Sequence, residues 1–255
     1  MPSAKEALQA RQDAGEPLEF LFFWGHTAPA TGRLGPHVLS QWYEAPFTVA
    51  GHTYRTAEHW MMAEKARFFG DDAMVDPILA SSSPGAAKAL GRRVKGFDGE
   101  AWERVRSAIV RTGNVEKFRQ NPELAGWLLA TGSVVLVEAS PRDAIWGIGM
   151  GSSNPDCRQV ARWRGENLLG FALMEARDRL RGHREPPATM MPLPWQWSPG
   201  VDPASIAWRM GSGESYLMEI TAWWEGLTPD ERVAVELLHP ATGAWAGWYD
   251  PVGTV

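Results

Sequence analysis

The sequence predicts an α+β fold: one predominantly helical domain with short buried strands, followed by a Trp-rich C-terminal extension. Three observations predict it. Apolar residues recur at helical spacing through 54–69, 100–120 and 163–182. Two short, continuous apolar runs, Phe20 to Trp24 and Val134 to Val137, carry the mark of buried strands. At His183 the texture changes. Pro186, Pro187, Pro192, Pro194 and Pro199 follow closely, and half of the 14 tryptophans lie beyond that point: Trp195, Trp197, Trp208, Trp223, Trp224, Trp245 and Trp248. The organisation that follows is a lead-in at 1–19, a main domain at 20–182, a Pro-rich linker at 183–200 and an extension at 201–255.

Taken in order, residues 1–17 read as a polar helical lead-in and Phe20 to Trp24 as the first strand. Gly25, Pro29, Gly32, Gly35 and Pro36 make 25–37 a loop. Leu39 to Val49 reads as extended and turns at Ala50-Gly51. Tyr54 to Phe69 is an amphipathic helix ending near Gly70. Asp76 to Leu79 and Pro84 to Leu90 give short helices, the second closed by Gly91. Glu100 to Gln120 is a helix or helix pair broken near Gly113, with Trp102, Val105, Ile109 and Val110 inward. Pro122 starts the next helix, through Trp127 to Leu129. The 163–182 helix turns Leu169, Ala172, Leu173, Ala176 and Leu180 to the core, with Asn167 as its N-cap. In the extension, Ser215 to Trp224 reads as a strand and Thr228-Pro-Asp-Glu231 as a capping box or a turn. Val233 to Leu238 and Trp245 to Tyr249, flanking Pro240 and Gly243, read as a hairpin.

The 255 residues are 44% hydrophobic, enough for one large domain or a domain with an appendage. Cys157 is the one cysteine, so neither an intramolecular disulfide nor a cysteine-based metal site is available. With no secretory pattern at the start and no run near the ~20 apolar residues of a membrane span, the expectation is a soluble cytoplasmic protein without a membrane partner. A net charge of −5 excludes a molecule that binds nucleic acid by overall charge. Positive charge is nonetheless uneven. Arg92, Arg93, Lys95, Arg104, Arg106, Arg111, Lys117 and Arg119 crowd one stretch, either a solvated helix face or a rim for a phosphorylated substrate.

Glu58 and Lys65 are the candidate chemistry. Seven residues apart, they differ by roughly 20° around a helix axis. Both fall on the face of Met61, Met62, Phe68 and Phe69; the opposite face carries His59, Glu64 and Arg67, where charge is expected. An inward ion costs several kcal/mol unless it is paired or used. One reading is an internal salt bridge, Lys65 leaning back toward Glu58. The other is a catalytic pair, a desolvated amine acting as nucleophile beside a carboxylate proton shuttle. A second feature follows the Val134 to Val137 run. There Glu138 and Asp143 precede Trp146, Gly147, Gly149 and Gly151, in a pattern that fits neither the Rossmann fingerprint nor the P-loop. It is either an ordinary turn, with Asp143 bonded to its own backbone, or a ligand-contacting loop.

From about Phe20 to Arg181 the chain resembles the NADAR (YbiA-like) family. The resemblance rests on an ordered set: Phe22-Phe-Trp-Gly25, Tyr54-x-x-Ala57-Glu-His-x-Met-Met, Lys65-Ala, Ala87-Lys-x-Leu-Gly-Arg-x-Val94, Trp102, Lys117-Phe118, Thr131-Gly132, Val137-Glu-Ala-Ser-Pro-x-Asp-x-x-Trp-Gly-x-Gly149 and Gly165-x-Asn-x-Leu-Gly170, with Leu173-Met174 and Arg177. It implies a mainly helical α+β fold and an N-glycosidase that needs no metal or organic cofactor. The bond cleaved joins a nitrogen to the anomeric carbon of ribose. The substrate is then a phosphoribosylated intermediate of riboflavin synthesis, or ADP-ribosylated guanine, with nucleic acid a partner only as substrate. The family's helix lysine, proposed to form a Schiff base with the opened ribose, matches Lys65. Its glutamate matches Glu58, and its Asp and Trp-Gly match Asp143 and Trp146-Gly147. Trp24, Trp102 and Trp146 are expected to wall the pocket, with Tyr54, Gly147 and Gly149 also contacting substrate. A non-catalytic ADP-ribose or nucleotide-binding module is the contrasting reading, which the intact Glu58, Lys65 and Asp143 oppose. The tail beyond His183 lies outside the resemblance. It is expected to cover apolar surface or support a dimer, or else to act as a lid or a recognition element whose exposed Trp residues stack on bases.

Overall fold

The computed structural model describes residues 2–182 and 186–250; the His183 boundary of the expected linker lies outside the described residues. Ser3 starts α1 (Ala4–Asp13) with a reciprocal cap, its hydroxyl taking the Glu6 N–H while the Glu6 carboxylate takes its own. The lead-in is docked: Leu8 is buried, and the Gln12 amide donates to the Arg158 carbonyl and accepts the Val160 N–H. Strand β1 (Phe20–Phe23) then enters the interior. Its partner comes from far along the chain, as described below.

The expected extended stretch from Leu39 is corrected. Pro36–Leu39 is a 3-10 turn that buries Val38 and Leu39, and only β2 (Phe47–Val49) is a strand. It pairs antiparallel with β3 (His52–Tyr54) across Ala50-Gly51, both at positive φ (49° and 80°), as a tight hairpin requires. Helix α2 (Ala57–Phe68) follows, with the Thr56 hydroxyl accepting the His59 N–H. Then come α3 (Val75–Leu79), α4 (Pro84–Gly91), α5 (Gly99–Arg119) and α6 (Pro122–Ala130). The break expected at Gly113 does not occur. The Trp60 indole of α2 lies against Gly113 and donates to the Ile109 carbonyl (2.7 Å), and any Cβ at 113 would run into that ring. The glycine marks close approach of two helices, not a breaker.

Strand β4 (Val135–Glu138) pairs in parallel with β1, Phe20 opposite Val135 through Phe23 opposite Glu138. Helix α7 (Leu168–Leu180) completes the main domain. Asn167 is not its N-cap. It sits in the left-handed region (φ 56°), and its side chain accepts the Glu138 N–H and donates to the Leu136 carbonyl, both at 3.0 Å, tying α7 to β4.

The extension is helical, which overturns the expected strand and hairpin. After the short α8 (Pro194–Trp197) come α9 (Gly211–Gly226) and α10 (Pro229–Leu238), then a 3-10 turn at Gly243–Trp245. The Tyr and Trp content of 215–224 imitates a strand. The buried positions Gly213, Tyr216 and Ile220 follow a helical repeat, and tertiary packing decides. Thr228 and Glu231 do form a capping box. The extension has an aromatic core of its own, in which the Trp208 and Trp245 rings lie 5.4 Å apart. It also closes onto the main domain. Ala246 joins the main core, Arg179 pairs with Glu236 at 2.9 Å, and Arg111 pairs with Asp250. The Gly243 N–H donates to the Glu64 carboxylate at 2.6 Å. Hence the face of α2 expected to carry solvated charge is corrected too: His59 and Glu64 are fully buried, Glu64 paired with Arg67 at 2.5 Å. No helix among the described residues is long and apolar enough to cross a membrane.

Candidate active site

The first turn of α2 leaves backbone N–H groups without helical partners. That of Glu58 donates to the Gln41 carbonyl (3.0 Å), which fixes the helix start to the segment after the 3-10 turn. The Glu58 side chain is 2% exposed. Its Oε1 accepts no hydrogen bond and lies 3.9 Å from Lys88 Nζ on α4. Burial pushes the Glu58 carboxyl up from the usual range. Lys88, a hydrogen bond from the Trp42 side chain and Arg92 oppose this, while the charge of Asp143 adds to it.

Lys65 does not reach Glu58, so the salt-bridge reading is corrected. Its Nζ donates to the Gly91 carbonyl (3.0 Å) and stands 4.0 Å from the Phe97 ring centroid and 5.8 Å from that of Trp102. No carboxylate among the described residues pairs with it. Half-buried against these rings, the amine is lowered from its usual value by desolvation, the direction a lysine nucleophile needs. The last turn of α4 therefore spans both groups, Lys88 facing Glu58 and the Gly91 carbonyl holding Lys65.

Asp143 makes the ordinary turn and something more. Its Oδ1 accepts the N–H groups of Ile145 (2.9 Å) and Trp146 (2.8 Å), and its carbonyl accepts that of Gly149 (3.1 Å). Its charge also acts on Glu58 and on Glu138. Gly147 is pressed against Glu138, where a Cβ would lie 2.7 Å from the Glu138 carbonyl oxygen; Gly149 takes φ 67°. Trp146 is half-buried against the main core. Burial and the nearby Asp143 push Glu138 up to about 8. The structure thus brings Glu58 and Asp143 together with the Trp146-Gly147 loop, and Lys65 together with Trp102.

One expected substrate contact does not join them. Tyr54 is a core residue, its ring 5.6 Å from Phe47 and 5.1 Å from Trp60, its hydroxyl accepting from Arg67 (2.8 Å). Trp24 stands 67% exposed just beyond β1, an open aromatic surface. Sequence reasoning missed Trp42, Lys88, Phe97 and the titration of Glu138. Lys88 and Arg92, four residues apart on one helix face, were a readable signal; Trp42 carried none, because its contact is not local. Two cavities lie elsewhere, one between α5 and the extension beside Arg111 and Tyr249, the other on the extension beside Trp208 and Met218.

Glu138 gives a stability prediction. Its folded value of about 8 exceeds the ordinary 4.5, so the folded chain keeps a proton that the unfolded chain releases. Stability is then lost as pH rises from about 5 through about 8. Urea midpoints at those two pH values should fall further for the wild type than for Glu138→Gln; equal falls would contradict the assignment.

The NADAR domain profile matches residues 22–181, more than half of the chain. The chain is 39% identical over 168 residues to N-glycosidase R617 of Acanthamoeba polyphaga mimivirus, covering 64% of this chain and 97% of that protein. It is 36% identical over 135 residues to N-glycosidase YbiA of Escherichia coli K12, covering 53% of this chain and 76% of the relative. Riboflavin biosynthesis protein VVA0006 of Vibrio vulnificus is 30% identical over 178 residues, 70% of this chain and 42% of that protein. The NMR structure of E. coli YbiA superposes with a TM-score of 0.51 at 31% identity, covering 64% of this chain and 84% of that one. A profile match of that extent, on a fold shared with a solved relative, leaves one conclusion: the chain belongs to the NADAR family.

Proposed function

We propose that this chain is an N-glycosidase, a hydrolase of N-glycosyl compounds whose substrate is a phosphoribosylated intermediate of riboflavin synthesis. The observation that carries the reading is the pair on α2: a buried carboxyl whose proton affinity is raised and a half-buried amine whose proton affinity is lowered, on either side of the α4 end. Both shifts run toward neutrality, where proton exchange is easiest. Lys65 Nζ attacks the anomeric carbon as its bond to the leaving nitrogen breaks, and Glu58 gives that nitrogen a proton. The ring then opens, the amine proton passing to the ring oxygen, and an imine to Lys65 remains. Water adds to the imine carbon; loss of the amine frees Lys65 and the sugar. Asp143, whose charge acts on Glu58, accepts a proton of that water and passes it to the departing amine, while the proton of the new hydroxyl returns to Glu58 as the aldehyde forms. Lys88 and Arg92 supply positive charge for a phosphate, and Phe97 and Trp102 supply flat faces.

The names of the mimiviral and E. coli relatives support the activity, and that of the Vibrio relative supports the substrate class. The open Trp24 surface favours a second reading, ADP-ribosylated guanine in nucleic acid, since an exposed ring can stack on a base. Release of free base or amine, followed by mass spectrometry on the two substrates in parallel, tests both. Turnover of the phosphoribosylated compound is expected. Turnover of the guanine substrate alone would transfer the assignment, and binding without turnover of either would leave a recognition module.

A further inference from the structure

Lys117 of α5 is fully buried, yet no carboxylate among the described residues pairs with it. Its Nζ donates to the carbonyls of Val38 (2.6 Å) and Ser40 (2.9 Å) and lies 5.7 Å from the Tyr43 ring centroid and 5.1 Å from that of Phe118. Packing alone would be met by Met or Leu without the cost of desolvating an amine. That cost shows in its proton affinity, which burial lowers to about 7. The two carbonyls belong to the segment leading to Gln41 and Trp42. The Gln41 carbonyl takes the Glu58 N–H, and the Trp42 side chain acts on the Glu58 carboxylate in favour of its charged form. Ser40 Oγ in turn accepts the Trp42 N–H (3.2 Å). This segment has no strand ladder of its own, only the 3-10 turn.

We propose that Lys117 is a positioning residue: by pegging the Val38 and Ser40 carbonyls it holds Gln41 and Trp42 against Glu58 and so sets the orientation and acid strength of that carboxyl. Lys117 is too deeply buried to touch a substrate. The other groups acting on Glu58 are Lys88 and Arg92 of α4 and Asp143 of the loop after β4. None of them hangs on Lys117, so its removal acts through the Trp42 side alone. The proposal rests on the reading of Glu58 as an acid, and the test separates the two.

Lys117→Met keeps an unbranched side chain one atom shorter and loses both hydrogen bonds. It is compared, in the full-length protein, with Trp42→Phe and with the double variant. The kcat on the phosphoribosylated substrate should fall about tenfold in Lys117→Met with KM within about twofold, part of what a positioned acid contributes. The double variant should be no slower than Trp42→Phe, because both changes act along one route. Independently of turnover, titration of the ¹³C-labelled Glu58 carboxyl by NMR should move upward in both single variants, since each loses the donor that favours the charged form. An unchanged Glu58 titration in Lys117→Met, or rate losses that multiply in the double variant, would overturn the proposal. Should Lys117→Met not fold, Lys117→Leu, which also loses both hydrogen bonds, is read the same way, and an unchanged Glu58 titration in Trp42→Phe by itself overturns the proposal. If the wild type turns over neither substrate, the proposed function fails and the NMR titration still decides this point.

Discussion

Replacing Lys65 with alanine should lower turnover by about 10⁴-fold or more, as loss of a covalent nucleophile does elsewhere, while the protein stays folded. The side chain is half-buried and contributes one hydrogen bond, to the Gly91 carbonyl, and its contacts with the Phe97 and Trp102 rings. Removing it opens little interior space. Lys65→Arg is the sharper companion. It keeps a cation near Gly91, but a guanidinium cannot give up its proton in a protein, so it should be as inactive as alanine. Borohydride added during turnover should fix a sugar-derived mass on Lys65 of the wild type and on neither variant. Activity surviving in Lys65→Ala would remove the imine from the mechanism and leave the chemistry to the carboxyl groups.

Glu58→Gln should cost about 10²- to 10⁴-fold in kcat, the usual contribution of a positioned acid. The amide is close to isosteric, and the backbone hydrogen bond to Gln41 does not depend on it. Because burial raises the Glu58 carboxyl, the acid remains protonated above the ordinary carboxylate range, and wild-type kcat should decline only as pH climbs past that raised value. This alkaline limb should vanish in Glu58→Gln. A substrate whose leaving group needs no proton should lose less. Wild-type kcat in Glu58→Gln, with the limb intact, would pass the role of acid to Asp143, for which Asp143→Asn is the matching test.

Much of the main domain was legible because its signals are local. The Val134 to Val137 run, the Pro122 that starts α6 and the inward spacing of Glu58 and Lys65 all act within a few residues of themselves. What escaped depends on distant partners. Gly113 reads as a breaker until the Trp60 indole is seen lying on it. Lys117 sits in a run of basic residues that reads as a solvated face or a substrate rim, yet its acceptors are Val38 and Ser40, more than 70 positions away. Trp42 gains meaning only from Glu58. In the extension, aromatic content argued for strands, and the packing of Trp208, Tyr216 and Trp245 into a helical core overruled it.

The bond between Gly243 and Glu64 crosses 179 positions of sequence. Chains emerge from the ribosome N-terminus first, at about 5–20 residues per second, so Glu64 waits roughly 10–40 s for this partner. Through that interval the helix bearing Glu58 and Lys65 has left the ribosome with one of its buried carboxylates holding only Arg67. The donor that completes the Glu64 carboxylate is therefore made 179 residues after it, and a chain broken off before residue 243 leaves that carboxylate to Arg67 alone.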